Sequence, residues 1–271
     1  MKKGVCCSLK APHVHSSEGI VWLHDDGAFA GMRRAGALAA KTLNYIEDFV
    51  KPGVTTLQLN DLCDAFIRDH GAVPAPLGYK GYPKSVCTSL NQVVCHGIPD
   101  ETFLKSGDIL NIDVTVIVDG WHGDTSRMYE VGVVEAPSRR LIMDTRTALK
   151  EAIALVKPGV FLGDIGAFIE DFALKRGYSV VKDYCGHGIG REFHCPPSVV
   201  HFGRKGTGLK LEKGMIFTIE PMLNVGKEFT RVLSDGWTVV TKDNKRSAQF
   251  EHTLGVCEEG AEIFTQCPKS L

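Results

Sequence analysis

The 271-residue chain lacks an excess of charge of either sign: 31 lysines and arginines stand against 32 aspartates and glutamates, a formal net charge of −1. No general positive field argues for nucleic acid and no acidic surplus for a solvating tail, so partners must be read from local sites. Long apolar runs are missing as well. No stretch approaches the roughly 18 apolar residues of a membrane span. The apolar run in the opening MKKGVCCSLKAP stops at Lys10, short of the roughly 7–15 residues of a secretory h-region. Nine cysteines occur without one Cys-x-x-Cys pair, in a chain too long to need disulfide staples, and read as reduced thiols of a cytoplasmic protein. Cys6, Cys7, His13 and His15 match no zinc spacing, so the segment up to Glu18 reads as a frayed end. No Gly-x-Ser-x-Gly elbow is present. Gly186-His-Gly-Ile-Gly190 has the glycines of a nucleotide loop, but Pro196-Pro197 follow where a helix must open.

What is present is 44% hydrophobic and 23% charged, enough apolar material for a soluble globular core. Many of the 29 glycines stand beside His, Asp or Glu, where backbone must approach something closely. A faint internal repeat runs underneath. Lys51-Pro52-Gly53-Val54 returns 106 residues later as Lys157-Pro158-Gly159-Val160, and each copy leads into an amphipathic segment ending in glycine, Gly71 and Gly177. The stretch 105–113 aligns with 212–220 at an offset of 107, so Asp113 and Glu220 end the same apolar strand in the two copies. Between them, Cys95-His96-Gly97-Ile98 resembles Gly186-His187-Gly188-Ile189. Three matches in one order imply two related α+β halves, about 26–135 and 136–266, in one domain, 26–271, behind an extension of residues 1–25 that is partly flexible.

Each half starts with two helices. Ala28, Met32, Ala35, Ala39, Leu43 and Ile46 keep helical spacing behind a cap at Asp25 or Asp26; Leu59, Leu62, Phe66 and Ile67 follow Thr55 or Thr56. Leu141, Thr145, Ala148, Ala152 and Val156, then Ile165, Phe168, Ile169 and Phe172, supply the second pair. Stretches 109–118, 121–131, 180–184, 215–223, 237–241 and 247–257 read as strands, so helices should cover a mostly antiparallel curved sheet.

Asp119-Gly120 is a strong two-residue hairpin signal and sets a register that pairs Thr115 with Asp124. Asp113, two residues before Thr115, then shares a face with Asp124 as its diagonal neighbour, about 7–8 Å away at the backbone. Two carboxylates on a buried apolar strand pair repel and lose hydration unless they share a proton or bind a cation. A single Asp on a strand is more often a cap or a surface charge, and a single His a hydrogen-bonded core residue. The set changes that reading: the repeat adds Glu220, Glu251 follows in Gln249-Phe250-Glu251-His252, and His187 adds a nitrogen. Four carboxylates and one imidazole can offset two divalent cations, and the mixed donors suit manganese, iron, cobalt or zinc better than calcium.

These residues stand in motifs that resemble the type I, bacterial, methionine aminopeptidases of the M24 metallopeptidase family. They are Gly-Tyr-Pro-Lys-Ser-Val-Cys (81–87), Val-Val-Cys-His-Gly-Ile-Pro (93–99), Ile-Asp-Val-Thr (112–115), His-Gly-Asp-Thr-Ser (122–126), Cys-Gly-His-Gly-Ile-Gly-Arg (185–191), Thr-Ile-Glu-Pro-Met (218–222) and Gln-Phe-Glu-His-Thr (249–253). The likeness implies a pseudo-twofold α+β pita-bread fold, that of creatinase and the aminopeptidases. It implies that Asp113 chelates one divalent ion, His187 and Glu220 the other, and that Asp124 and Glu251 bridge them, the ions being cobalt, manganese, iron, zinc or nickel. It further implies that a metal-activated hydroxide attacks the bond after an N-terminal methionine when the second residue is small. His194 would polarise the scissile carbonyl, His96 assist the leaving nitrogen and Glu220 shuttle the proton. Tyr79, Tyr82, Cys87, His96, Phe193 and Trp237 match the methionine pocket, where sulfur meets aromatic rings. Asn91, Val93 and Ser247 match a monovalent-cation loop. Pro76 and Cys195-Pro196 depart from the pattern of similar enzymes beside the pocket. The implied partners are nascent polypeptide N-termini at the ribosome, met by a cytoplasmic monomer with neither nucleic-acid specificity nor a membrane anchor.

Prolidases and X-Pro aminopeptidases share this fold and ligand set but carry a long N-terminal domain, against the 25 or so residues before the first helix here. A metal-free binding module on the same fold would lack ligands, and none is lacking.

Overall fold

The computed structural model describes residues 12–266. Helix α1, Asp26–Glu47, starts where the Asp25 carboxylate accepts the Ala28 N–H at 2.9 Å. Helix α2, Thr56–Asp69, carries a full capping box between Thr55 and Gln58. In the second half, α3 spans Ala136–Ile153 and α4 spans Leu162–Lys175. Their apolar stripes are core: Ala39, Leu43, Ile46, Leu59 and Ile67 pack on Ile112, Val114 and Val116, while Leu141, Ala148, Ile165 and Ile169 pack on Phe217, Ile219 and Leu254.

The repeat is visible in the backbone. Gly53 N–H donates to Leu104 O at 2.9 Å and Leu104 N–H returns to Val54 O at 2.8 Å; Gly159 with Leu211, and Leu211 with Val160, repeat both bonds at 2.9 and 2.8 Å. Gly53 and Gly159 have φ of 89° and 92°, so the same left-handed turn, open to glycine without strain, is used in both copies.

The strands Ile109–Val118 and Trp121–Glu130 form the long hairpin, paired so that Thr115 faces Asp124 and Asp113 faces Ser126. Asp119 at φ 50° and Gly120 at φ 77° make the turn. Alternation along the first strand turns Ile112, Val114 and Val116 to the helices and puts Asn111, Asp113 and Thr115 on the opposite face, toward the second half. Every strand pairing among the described residues is antiparallel.

Two strands expected to be continuous are broken. The stretch 215–223 divides into Ile216–Ile219 and Met222–Asn224, and 247–257 into Ser247–Gln249 and His252–Val256. Ile219 pairs with His252 and Met222 with Gln249, so the two breaks face each other, and they hold Glu220-Pro221 and Phe250-Glu251. Pro221 has no N–H for a ladder, which ends one strand there and lets the chain cross to another sheet. Of 180–184 only Val180 is strand, within Ser179–Val180, and 237–241 shortens to Val239–Thr241.

Cys6 and Cys7 lie outside the described residues. His13–Ser16 and Gly19–Trp22 form an N-terminal hairpin whose Val21 is 2% exposed in the second-half core, so this part of the extension is built into the body of the protein.

Helix α1 crosses the long hairpin at contact distance. A Cβ on Gly123 would stand 2.4 Å from the Ala35 carbonyl carbon and 2.5 Å from the Gly36 nitrogen. Gly123→Ala should therefore destabilise the protein by about 1–3 kcal/mol, the usual cost of overpacking. Chemical denaturation should show a lower midpoint at constant slope; an unchanged midpoint would contradict the close crossing.

Candidate metal centre

Each acidic residue is delivered by a different constraint. Asp113 and Asp124 come from the hairpin register, Glu220 from one strand break and Glu251 from the other. Glu251 is then tied to the hairpin: its N–H donates to Ser126 O at 3.1 Å, and Thr125 Oγ1 donates to its carbonyl at 2.7 Å. His187 lies on the short strand Gly186–Gly188, where its N–H donates to Thr218 Oγ1 at 3.0 Å. Its Nδ1–H donates to Gly188 O at 3.1 Å, which leaves Nε2 as the ring nitrogen turned inward. That Nε2 sits 3.5 Å from Asp124 Oδ2 and 3.8 Å from Glu220 Oε1.

One donor atom each from Asp124, His187 and Glu251 lie within 4.8 Å of one another. Thr115 Oγ1 donates to Asp124 Oδ1 at 2.6 Å; Thr218 Oγ1 and Gln249 Nε2 hold the two oxygens of Glu220 at 2.8 and 3.1 Å. Asp113 Oδ1 is buried with no hydrogen-bond partner. A buried, orphaned carboxylate oxygen beside three further carboxylates and an inward imidazole fits a divalent-cation centre. The electrostatics agree. Burial, then the charges of Asp124 and Glu220, push Asp113 and Glu251 well above the usual carboxylate range. Burial raises Glu220 to about 7. Burial alone would lower His187, yet its bond to Asp124 and the Glu220 charge carry it above its ordinary value. Such a set is poorly stable without a compensating positive charge.

The centre floors a cleft of about 570 Å³. His96, His194, Tyr79, Tyr82, Cys87, Phe193 and Trp237 all line it. His194 packs on His187 at 4.1 Å between ring centroids and on Tyr79 at 5.2 Å; burial, then the nearby His187, lowers it to about 3, so it is a neutral imidazole. His96, also lowered by burial, sits 6.1 Å from Trp237 with a backbone φ of 56°, a strained left-handed conformation of the kind found at functional sites. Trp237 meets Tyr82 edge-on at 5.2 Å.

Asn91, Val93 and Ser247 lie off this cleft, Asn91 in a turn and Val93 and Ser247 each at the start of a strand, where Ser247 N–H donates to Asn91 O at 3.0 Å. The Ser247 hydroxyl is buried and unpartnered. Sequence reasoning missed Thr115, Thr218 and Gln249, the residues that hold the carboxylates. Their signal was available: Thr115 faces Asp124 in the derived register, and Thr218 and Gln249 each stand two residues before a ligand.

A carboxyl group harder to ionise in the fold than in the unfolded chain destabilises the fold as pH rises above its unfolded value. In metal-stripped protein, Glu251→Gln should therefore gain stability over wild type steadily between about pH 5 and pH 8. Thermal melts in chelator measure this; a difference that does not change with pH would contradict the repulsive cluster.

The fold has close counterparts. Residues 30–258 match metallopeptidase family M24. The methionine aminopeptidase of Rickettsia prowazekii is 59% identical over 251 residues, 92% of this chain and 96% of that protein. Its crystal structure superimposes with a TM-score of 0.90 over 91% of this chain and 100% of that one. The methionine aminopeptidase of Escherichia coli K12 is 55% identical over 86% of this chain and 89% of its own length. An Xaa-Pro dipeptidase of Bacillus anthracis, 22% identical, shares the fold with a TM-score of 0.73 over 92% of this chain and 63% of that one. The architecture is accordingly the pita-bread fold, and the chain belongs to the methionine aminopeptidases of metallopeptidase family M24.

Proposed function

We propose that this chain removes the N-terminal methionine from proteins whose second residue is small, by metal-dependent hydrolysis of the first peptide bond. The observation that carries the reading is the floor of the cleft, where four carboxylates and an inward-facing imidazole converge beneath two neutral histidines and a pocket of aromatic rings and a thiol. Asp113, Asp124, His187, Glu220 and Glu251 would hold two divalent ions; cobalt, manganese, iron, zinc and nickel all suit the donors. When bound, such ions lower the pKa of water into the neutral range and draw electron density from a carbonyl oxygen.

The chain's own groups do the rest. His194, kept neutral, can donate a hydrogen bond to the scissile carbonyl oxygen as charge builds there, and His96 binds the scissile amide and assists the leaving nitrogen. Glu220, fixed by Thr218 and Gln249, carries the proton between the attacking water and that nitrogen. Tyr79, Tyr82, Cys87, Phe193 and Trp237 enclose a thioether side chain, which makes favourable contacts with ring edges. Neither half holds the whole donor set, so residues 26–271 act as one catalytic unit. Asn91, Val93 and Ser247 hold a monovalent cation, for which the buried Ser247 hydroxyl supplies an unused oxygen. The enzyme works as a cytoplasmic monomer on nascent chains at the ribosome. In support of a reducing compartment, the described cysteines at 63, 87, 95, 185, 195 and 257 are free thiols. Among the described residues no helix is long and apolar enough to cross a membrane.

Two experiments test this. Met-Ala-Ser should be hydrolysed and Ala-Pro should not, with activity lost to a chelator and restored by manganese, cobalt or iron; turnover of X-Pro substrates alone, or indifference to chelation, would overturn the reading. His194→Ala should lower kcat about 10²-fold if that ring stabilises the developing oxyanion. Unchanged steady-state kinetics would remove it from the mechanism.

A further inference from the structure

The N-terminal hairpin, His13–Ser16 with Gly19–Trp22, lies outside the residues matched by the peptidase family, yet it forms part of the cleft wall. Its base is fixed by Leu23 N–H on Pro12 O at 2.9 Å and His24 N–H on Gly214 O at 2.8 Å, and Val21 is buried. At its tip Ser16 Oγ donates to Gly19 O at 3.0 Å and accepts the Glu18 N–H at 3.1 Å, a tight turn that presents Glu18. The Ser198 N–H donates to Glu18 Oε2 at 2.7 Å, and Ser198 is the cross-strand partner of His187. Glu18 thus stands on the far side of one strand from a residue of the metal centre. Two strand spacings place it roughly 10 Å away.

Apart from the metal cluster, the charged residues lining the cleft among the described residues are Glu18, Asp183 and Lys80. Asp183 accepts from Thr230 Oγ1 at 2.6 Å, and the Lys80 ammonium lies over the Tyr79 ring at 5.2 Å from its centroid. The hairpin therefore adds a second carboxylate to a mouth that otherwise balances one acid against one base. A peptide in extended conformation advances about 3.3 Å per residue. With its first peptide bond at the metal centre, the Cα atoms of its third and fourth residues lie roughly 5 and 8 Å along that path, so long side chains there reach the level of Glu18.

We propose that Glu18, presented by the N-terminal hairpin, is a specificity-determining residue that favours lysine or arginine over acidic residues at the third and fourth positions of the peptide. The inference rests on the aminopeptidase reading, and the test separates the two. Peptides Met-Ala-Lys-Lys, Met-Ala-Glu-Glu and neutral Met-Ala-Ser-Ser are compared at low ionic strength with wild type, Glu18→Gln and Glu18→Lys. Glutamine keeps a side-chain carbonyl for the Ser198 N–H, so the hairpin stays anchored. Wild type should prefer the basic peptide over the acidic one by about two- to fivefold in kcat/KM, as for a single solvent-exposed ion pair. That preference should be carried by KM, fall to near one in Glu18→Gln, invert in Glu18→Lys and vanish in about 0.5 M salt. An unchanged ratio in Glu18→Gln would move the preference to Asp183 and overturn the assignment, as would a wild type indifferent to charge. Failure to cleave the neutral peptide would instead overturn the aminopeptidase reading, and this inference with it.

Discussion

Four carboxylates are brought together in a place where water solvates them poorly, and most of the architecture can be understood as the means of doing so. Left alone, the cluster is an electrostatic liability: burial and mutual repulsion push Asp113 and Glu251 well above their usual range. A divalent cation reverses the sign of that term, since the same low dielectric that magnifies repulsion between carboxylates magnifies their attraction to a metal ion. The formal net charge of −1 therefore overstates how acidic the metal-loaded protein is.

The convergence requires both halves of the internal repeat. The first half supplies Asp113 and Asp124 from a regular hairpin, and the second supplies Glu220 and Glu251 from strands interrupted at the ligands and His187 from the short strand Gly186–Gly188. Matching turns at Gly53 and Gly159 start equivalent helices, but Asp113 lies inside the strand Ile109–Val118, whereas Glu220 follows the end of Ile216–Ile219. The halves have diverged at the point of use. A hairpin with an unbroken ladder positions side chains by alternation, whereas the crossing at Glu220-Pro221 points a carboxylate inward by ending the ladder. The hydroxyls and amide of Thr115, Thr218 and Gln249 then fix carboxylate rotamers that repulsion would otherwise spread.

Much of this was legible in the amino-acid sequence, for identifiable reasons. Asp119-Gly120 admits essentially one compact turn, and a two-residue turn with period-two alternation fixes every pair of the long hairpin, Thr115 opposite Asp124 included. Helical spacing located all four helices, because their buried faces run through several turns. Less legible were features set by tertiary contact. Nothing local separates 216–219 from 222–224 as members of different sheets, since the crossing depends on which strands lie alongside. The residues from His13 to Trp22 have too few apolar positions to announce a hairpin, and they are held by Ser198 and the second-half core. The motifs indicated the reaction class more readily than the shape of the mouth.

The central claim is that these five side chains form one centre for two divalent ions. Crystals grown with manganese and measured across its absorption edge address it directly. Two anomalous peaks should appear among Asp113, Asp124, His187, Glu220 and Glu251, with Asp124 and Glu251 contacting both. Peaks lying elsewhere, or a fully ordered cluster without metal at saturating manganese, would contradict the account.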